Sequence, residues 1–425
     1  MCSDGVSREG TRVAVVQRLS NREEYNLDEL MELCRAAGYE PVFSLTQFRP
    51  PHPRYHIGPG KLELLRKAVN SLGITKVVFE NEIKPVQEYN LAKSLGIPVM
   101  SRTQLILEIF TRRASSAEAK LQIKLAELQY ELSRARERVR LAKKGEQPGF
   151  HGLGAYEADV YYNEVSRRMN SILEKLAVIK RRNTLLRTRR AEEGIPTVAL
   201  TGYTNAGKST LFSLFSGEEH PVSPQLFTTL STTTRLVTFG GKKAYISDTV
   251  GFIRNLPTLV VEAFNSTLSE FIYADLILLV VDVSEKLEEI DEKLNTCITV
   301  LQEVGVRNIP ILVVFNKLDL CKDSAYEKVA ALRMEQPYVV ISARTGENID
   351  VLENMIGRMM GGYVRVRAVI ANGTKSYELI KSVRRGGSLL RLDFGSDQIE
   401  LEADLPVGLA EKIRRMAAVF QVVPQ

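Results

Sequence analysis

Nine consecutive residues, Gly202-Tyr203-Thr204-Asn205-Ala206-Gly207-Lys208-Ser209-Thr210, contain the spacing G-x-x-x-x-G-K-[ST]. The apolar run "TVALT" precedes them and the helical "STLFSLFSG" follows. In a strand-turn-helix context this spacing cradles phosphates. Gly202 and Gly207 let the backbone curl until its N–H groups face an anion, and the helix adds its positive N-terminal end. Lys208 is placed to bridge the β- and γ-phosphates of a nucleotide, and the Ser209 hydroxyl to ligate Mg²⁺.

A second set of residues suits a base. Asn316-Lys317-Leu318-Asp319 directly follows the apolar "ILVVF", and Ser342-Ala343-Arg344-Thr345 closes the next strand-like run. The Asp319 carboxylate can accept both hydrogen bonds from the N1 and N2 groups of guanine. Adenine lacks that donor pair and would leave a buried carboxylate unpaired. Lys317 can cover the base, Asn316 can tie this loop to the phosphate turn, and the Ala343 amide can reach guanine O6.

Between the two sets lie the residues that can sense a terminal phosphate. Asp248 ends a strand and begins "DTVGFI", Asp248-Thr249-Val250-Gly251-Phe252-Ile253. The carboxylate can hold a Mg²⁺-bound water and the Gly251 amide can reach the γ-phosphate. Small GTPases place a water-orienting Gln after that Gly. Phe252 can neither donate nor accept, so slow intrinsic hydrolysis is expected. Upstream, "LFTTLSTTTR" (226–235) is a Thr-rich loop in which one hydroxyl should ligate Mg²⁺. Spacing alone leaves Thr228, Thr229, Thr232, Thr233 and Thr234 as candidates.

These residues need a scaffold, and the chain is long enough to build several. Its 425 residues suggest about three domains, and 44% hydrophobic with 25% charged residues is a globular composition. No apolar run is long enough to span a membrane. The four cysteines show no metal-ligand spacing, which favours free thiols and a cytoplasmic location. The net charge of +6 is a weak pointer to nucleic acid.

Residues 11–110 alternate strand-like runs ("TRVAVVQR", "ITKVVFEN") with amphipathic helices that stop at Gly38 and Gly73, the pattern of a parallel α/β domain. Gly58-Pro59-Gly60-Lys61 opens one helix. It lacks the full phosphate-loop spacing and reads first as a helix-opening turn, second as an anion site. Two heptad stripes follow: Leu121, Leu125, Leu128, Leu132, Ala135 and Val139, then Val165, Met169, Ile172, Leu176, Ile179, Asn183 and Leu186. They predict an antiparallel helical hairpin whose tip is the Gly-rich "GEQPGFHGLGAYEAD" (145–159). Arg134, Arg136, Arg138, Arg140, Lys143 and Lys144 approach the tip, and Lys180, Arg181, Arg182, Arg187, Arg189 and Arg190 crowd the far end. Such clusters suit either a solvated helix face or a phosphate backbone. In 196–360, five strand-like runs and a Gly240-Gly241 hairpin predict a mostly parallel sheet with one antiparallel strand. The last segment reads as three strands and a helix over 406–420.

With these motifs assembled, the chain resembles the HflX-type ribosome-associated GTPases. "GYTNAGKSTLF", "QLFTTLSTTTR" and "DTVGFIRNLPTLVVEAFNSTLSE" carry the resemblance, and "IGPGKLELL" and "RRASSAEAKLQIKLAELQYEL" extend it upstream. The family's F-x-T-L segment falls on Phe227, Thr228, Thr229 and Leu230, followed by Ser231, and singles out Thr229 as the Mg²⁺ ligand beside Ser209. The resemblance implies a P-loop GTPase domain (194–361) with a mostly parallel sheet. A small α/β domain (1–112) and a helical hairpin (113–193) precede it, and a small α+β domain (362–425) follows. It also implies GTP hydrolysis to GDP and phosphate, with Lys208, Gly251 and Thr229 acting on the phosphate. The implied partner is the large ribosomal subunit and its rRNA, engaged by a monomer in ribosome splitting, rescue or stress control, with ribosomes stimulating hydrolysis. At the hairpin tip many members read G-P-G-E-T-Q-L-E-T-D-R-R. Here Gly152, Gly154, Glu157 and Asp159 keep its skeleton without the Thr-Gln pair or the paired Arg. Tyr156, Tyr161 and Tyr162 can stack on bases or pack the hairpin. Two rival readings are an RNA-binding scaffold that only senses nucleotide, and a metabolic P-loop phosphotransferase. The phosphotransferase usually lacks "NKLD" plus "SA", and the scaffold would bind ribosomes equally in its GDP and GTP-analogue forms.

Overall fold

A computed structural model describes residues 11–20, 27–143, 153–217, 233–249, 251–254, 257 and 271–423. Leaving aside residues 224–228 and 257–263, the chain divides into two compact units, one up to Leu176 and one from Ala177 onward.

The first unit begins with four parallel strands: β1 (Thr11–Leu19), β2 (Tyr39–Phe48), β3 (Lys76–Phe79) and β4 (Val99–Ser101), in the order β2-β1-β3-β4. Helices α1 (Asp28–Ala36), α2 (Pro59–Leu72), α3 (Pro85–Leu95) and α4 (Arg102–Arg113) connect and flank them. Val13, Ala14, Val15 and Val16 are all fully buried, the continuous apolar run of a strand covered on both faces. Ala14, Val16, Leu65, Phe79 and Leu91 belong to one core. Gly73 (φ 63°) stops α2 in the left-handed region, as the sequence leads one to expect, Gly38 (φ 76°) lies just past the end of α1, and Gly96 (φ 73°) stops α3 in the same way. Arg102, unremarkable in sequence, is buried between Glu29 (2.6 Å) and Glu80 (2.5 Å).

Helices α5 (Ala117–Lys143) and α6 (Leu153–Glu193) form the expected hairpin pair, packed through Leu125, Leu128, Leu132, Val165 and Ile172. Two expectations change. Among the described residues the shared core ends at Leu176 rather than continuing through Ile179 and Asn183, and the side chain of Leu186 lies outside the described residues. With 41 residues against 27, α6 is much the longer helix. The expected tip loop is also shorter, because Leu153–Asp159 are already helical. Ala155, Glu157 and Ala158 are strong enough helix formers to tolerate Gly154. Arg136, Arg138 and Arg140 lie on α5; Lys144 and Gly152 are outside the described residues.

The second unit holds a six-stranded sheet, β10-β9-β8-β5-β7-β6. Its strands are β5 (Thr197–Gly202), β6 (Thr233–Phe239), β7 (Lys242–Asp248), β8 (Leu276–Asp282), β9 (Ile311–Asn316) and β10 (Tyr338–Val340). Only β6 runs antiparallel, against β7. Gly240 (φ 54°) and Gly241 (φ 83°) make that hairpin, since both central residues of such a turn need positive φ. Helices α7 (Lys208–Ser216), α8 (Leu287–Val304), α9 (Lys322–Ala331) and α10 (Ile349–Met359) complete the layers.

The last strands, β11 (Tyr363–Ala371), β12 (Ser388–Phe394), β13 (Gln398–Pro406) and β14 (Ala417–Val423), form an antiparallel sheet ordered β12-β13-β11-β14. Helices α11 (Thr374–Gly386) and α12 (Val407–Met416) pack on it through Leu379, Val383, Leu409 and Ile413. The expected helix over 406–420 stops at Met416. The β-prone "AAVFQVV" then adds a fourth strand beside β11. Helix α11 has no counterpart in the sequence reading.

Candidate functional site

Among the described residues, members of all three sets of chemically apt residues gather at the C-terminal ends of the parallel strands, where open α/β sheets bind ligands. β5 delivers the Gly202–Lys208 turn, β7 delivers Asp248, and β9 delivers Asn316 to Asp319.

The turn requires its glycines. Gly202 has φ 141°, and a Cβ there would fall 2.1 Å from the Val280 carbonyl oxygen. Gly207 has φ 94°, and a Cβ would fall 2.1 Å from Asn316 Nδ2. Asn205 takes a left-handed φ of 64°, which Asn tolerates better than most residues. Lys208 is buried and its ammonium donates to the carbonyls of Gly202 (3.0 Å) and Tyr203 (2.8 Å). Burial pulls its pKa down to about 8, against the opposing pull of Asp248. Ser209 and Thr210 occupy the first turn of α7, and Thr204 and Ala206 are buried in the loop.

Asn316 straps the Gly202–Lys208 turn to the Ser342-Ala343 segment. Its Nδ2 donates to the Ala206 carbonyl and its Oδ1 accepts from the Ala343 amide, both at 2.9 Å. Asp319 accepts from the Ser342 hydroxyl at 2.7 Å, and Arg344 Nη1 lies 3.9 Å from its other oxygen. Leu318 is buried beneath them. Lys317 (φ 71°) pairs with Asp282 at 2.6 Å, and Asp282 is held in turn by the Ser284 amide and hydroxyl. Sequence reading missed Asp282. Its signal is an Asp closing the apolar run "LILLVV" one strand before "NKLD".

Asp248 is buried at the end of β7. Thr249 turns its hydroxyl into the sheet, donating to the Leu200 carbonyl at 2.7 Å. Gly251 packs so closely that a Cβ would meet Lys208 Nζ at 2.7 Å and Thr204 Cγ2 at 3.0 Å. Phe252, read from sequence only as a missing hydrogen-bonding group, is a core residue, 1% exposed and 6.2 Å from the Phe271 ring. Phe227, Thr228, Thr229, Leu230, Ser231 and Val250 lie outside the described residues.

The oxygen set fits a hard cation. A hydroxyl (Ser209) and a carboxylate (Asp248) suit Mg²⁺, which prefers a few protein oxygens plus phosphates and water to an all-protein cage. Among the described residues no three His, Cys, Asp or Glu side chains converge as a metal cluster of their own, and no helix is long and apolar enough to cross a membrane.

Three family models match the chain. They are "GTP-binding GTPase N-terminal" over residues 24–111, "GTP-binding GTPase Middle Region" over 113–190 and "50S ribosome-binding GTPase" over 197–317. Among similar proteins, the GTPase HflX of Thermococcus kodakarensis is 39% identical over 421 residues, 96% of this chain and 95% of that protein. The GTPase HflX of Methanocaldococcus jannaschii is 41% identical, covering 80% of this chain and 85% of its own length. That of Caldanaerobacter subterraneus is 36% identical over 97% of this chain and 95% of its own. A solved GTP-binding protein from Sulfolobus solfataricus, in complex with GDP, is 27% identical, with a TM-score of 0.45 over 82% of this chain and 98% of that one. With these motifs brought together on a mostly parallel sheet and relatives of this identity over nearly its whole length, the chain belongs to the HflX family of GTPases.

Proposed function

We propose that this GTPase works on the large ribosomal subunit, as a cytoplasmic monomer that splits or rescues ribosomes or controls translation under stress. The observation that carries the reading is the G domain that matches a 50S ribosome-binding GTPase family, joined in one chain to a long helix bearing exposed Lys180, Arg181 and Arg182. Those cations suit an RNA phosphate backbone. In functional terms the chain divides into 1–112, 113–193, 194–361 and 362–425, with the first two parts docking on rRNA.

In the G domain, Lys208 and the amides of the Gly202–Ser209 turn hold the β- and γ-phosphates. Ser209, with Thr229, would hold Mg²⁺, with Asp248 supporting it through water; the ion would supply positive charge against that of the phosphates. Gly251 offers its amide to the γ-phosphate. Asp319 and the Ala343 amide read guanine, Lys317 covers it, and Asn316 keeps the two halves of the site in register. Hydrolysis releases the γ-phosphate contacts at Thr229 and Gly251, and with them the ribosome-bound conformation. No side chain at position 252 orients water, so the group that completes catalysis comes with ribosome contact.

Co-sedimentation with separated ribosomal subunits tests this. The large subunit should carry down the protein with a non-hydrolysable GTP analogue and release most of it with GDP, and added subunits should raise GTP turnover. Equal binding in both nucleotide states, or none, would sink the reading.

A further inference from the structure

Tyr203 does more than supply a backbone amide to the phosphate turn. Residues 203 and 252 pair as two parallel strands would. The Thr204 amide donates to the Phe252 carbonyl at 2.8 Å, and the Phe252 amide donates to the Gly202 carbonyl at 3.0 Å. Two residues further on, the Arg254 amide donates to the Tyr203 hydroxyl at 2.5 Å. Helix α8 grips both partners. Lys293 Nζ lies 4.8 Å from the centroid of the Tyr203 ring and is itself paired with Glu285, while Glu292 pairs with the Arg254 guanidinium.

This pairing presses Gly251 onto the Lys208 ammonium, with no room for even a methyl group between them. A γ-phosphate needs that ammonium and the Gly251 amide at the same time. A γ-phosphate oxygen therefore enters between them only if Gly251, or the Lys208 ammonium now held by the Gly202 and Tyr203 carbonyls, gives way, whereas a diphosphate makes no such demand of Gly251.

Resting on the reading of Gly251 as a γ-phosphate contact, we propose that Tyr203 is a positioning residue. Its hydroxyl, with the Arg254–Glu292 pair, latches residues 251–254 along the phosphate loop and biases the protein toward GDP. A latch of this kind sets a population ratio, so releasing it favours the ligand that binds the open form.

The test measures affinities for GDP and for a non-hydrolysable GTP analogue in the full-length protein, Tyr203→Phe and Glu292→Gln. Tyr203→Phe keeps the ring under Lys293 and removes the hydrogen bond from the Arg254 amide, so the analogue-to-GDP affinity ratio should rise about two- to tenfold. Glu292→Gln should move the ratio the same way by less, because that pair is partly solvated. A purely structural role weakens both nucleotides alike. An unchanged ratio, or a shift toward GDP, overturns the latch. If Tyr203→Phe does not fold, the Glu292→Gln ratio decides alone. Failure of the unmodified chain to bind either nucleotide overturns the site assignment and the latch with it.

Discussion

The molecule contains two glycine–lysine turns that open a helix on a parallel sheet, and they are built for different ends. In the N-terminal sheet the turn is Gly58-Pro59-Gly60-Lys61 at the start of α2. Gly58 is extended (φ −73°), and its amide is already spent on Gln47 Oε1 at 2.8 Å. Pro59 has no N–H to offer, and the Arg49 guanidinium lies where a Gly58 side chain would go. In the G domain the turn from Gly202 to Lys208 is left-handed at Gly207 and buries its lysine. Both turns are rich in Gly with a Lys close behind. Only the second leaves a curled backbone around a partly desolvated cation, so a glycine–lysine turn becomes a phosphate site through its backbone and its surroundings rather than its composition.

The largest expected effect breaks the comparison directly. Lys208→Ala should lower GDP affinity on the order of 100- to 1,000-fold, the cost of removing a buried hydrogen-bonded charge. Lys61→Ala should leave that affinity within about twofold. Titration calorimetry with GDP measures both, and a comparable loss in Lys61→Ala would make the N-terminal turn a nucleotide site too. Next comes Gly207→Ala. The added methyl collides with Asn316 and strains a left-handed residue, costing about 2–4 kcal/mol, so nucleotide affinity should fall at least about 30-fold.

A pH effect follows. The free Lys208 ammonium titrates at about 8, and phosphate binds its charged form. Above that pH binding must take up a proton, so GDP affinity should fall as pH rises, by about tenfold from pH 7 to pH 9. Calorimetry in buffers of different ionisation enthalpy should detect the proton at pH 9. Lys61→Ala should leave this profile in place. A flat profile would mean that the ammonium is not desolvated. The smallest effect is on the other turn. Nothing lies within 4 Å of a Cβ built at Gly60, in the first turn of α2. Gly60→Ala should therefore raise stability by up to about 1 kcal/mol. A loss of stability on thermal unfolding would reveal at that turn a constraint of the kind that Gly207 meets.

Much of this protein follows from its sequence alone, because the determining interactions are local. A strand, two glycines, a lysine and a hydroxyl specify a phosphate turn wherever they occur in that order. "NKLD" after one strand and "SA" after the next lie at adjacent strand ends, where Asn316 ties Ala343 to Ala206. Gly240-Gly241 specifies a hairpin, and the heptads from Leu121 to Leu176 specify two packed helices. What only the tertiary structure decided depends on residues far apart in the chain. Arg102 meets Glu29 and Glu80, Lys317 meets Asp282, and the stripe of α6 outruns its partner because α5 is shorter. The strand β14 needed β11 beside it before "AAVFQVV" could be told from a helix end. Phe252 is the plainest instance. Its sequence neighbourhood says only that a water-orienting group is missing. Its burial beside Phe271, and the pairing of its backbone with Gly202 and Thr204, arise because β5 and β7 are adjacent in the sheet, a proximity that no local pattern encodes.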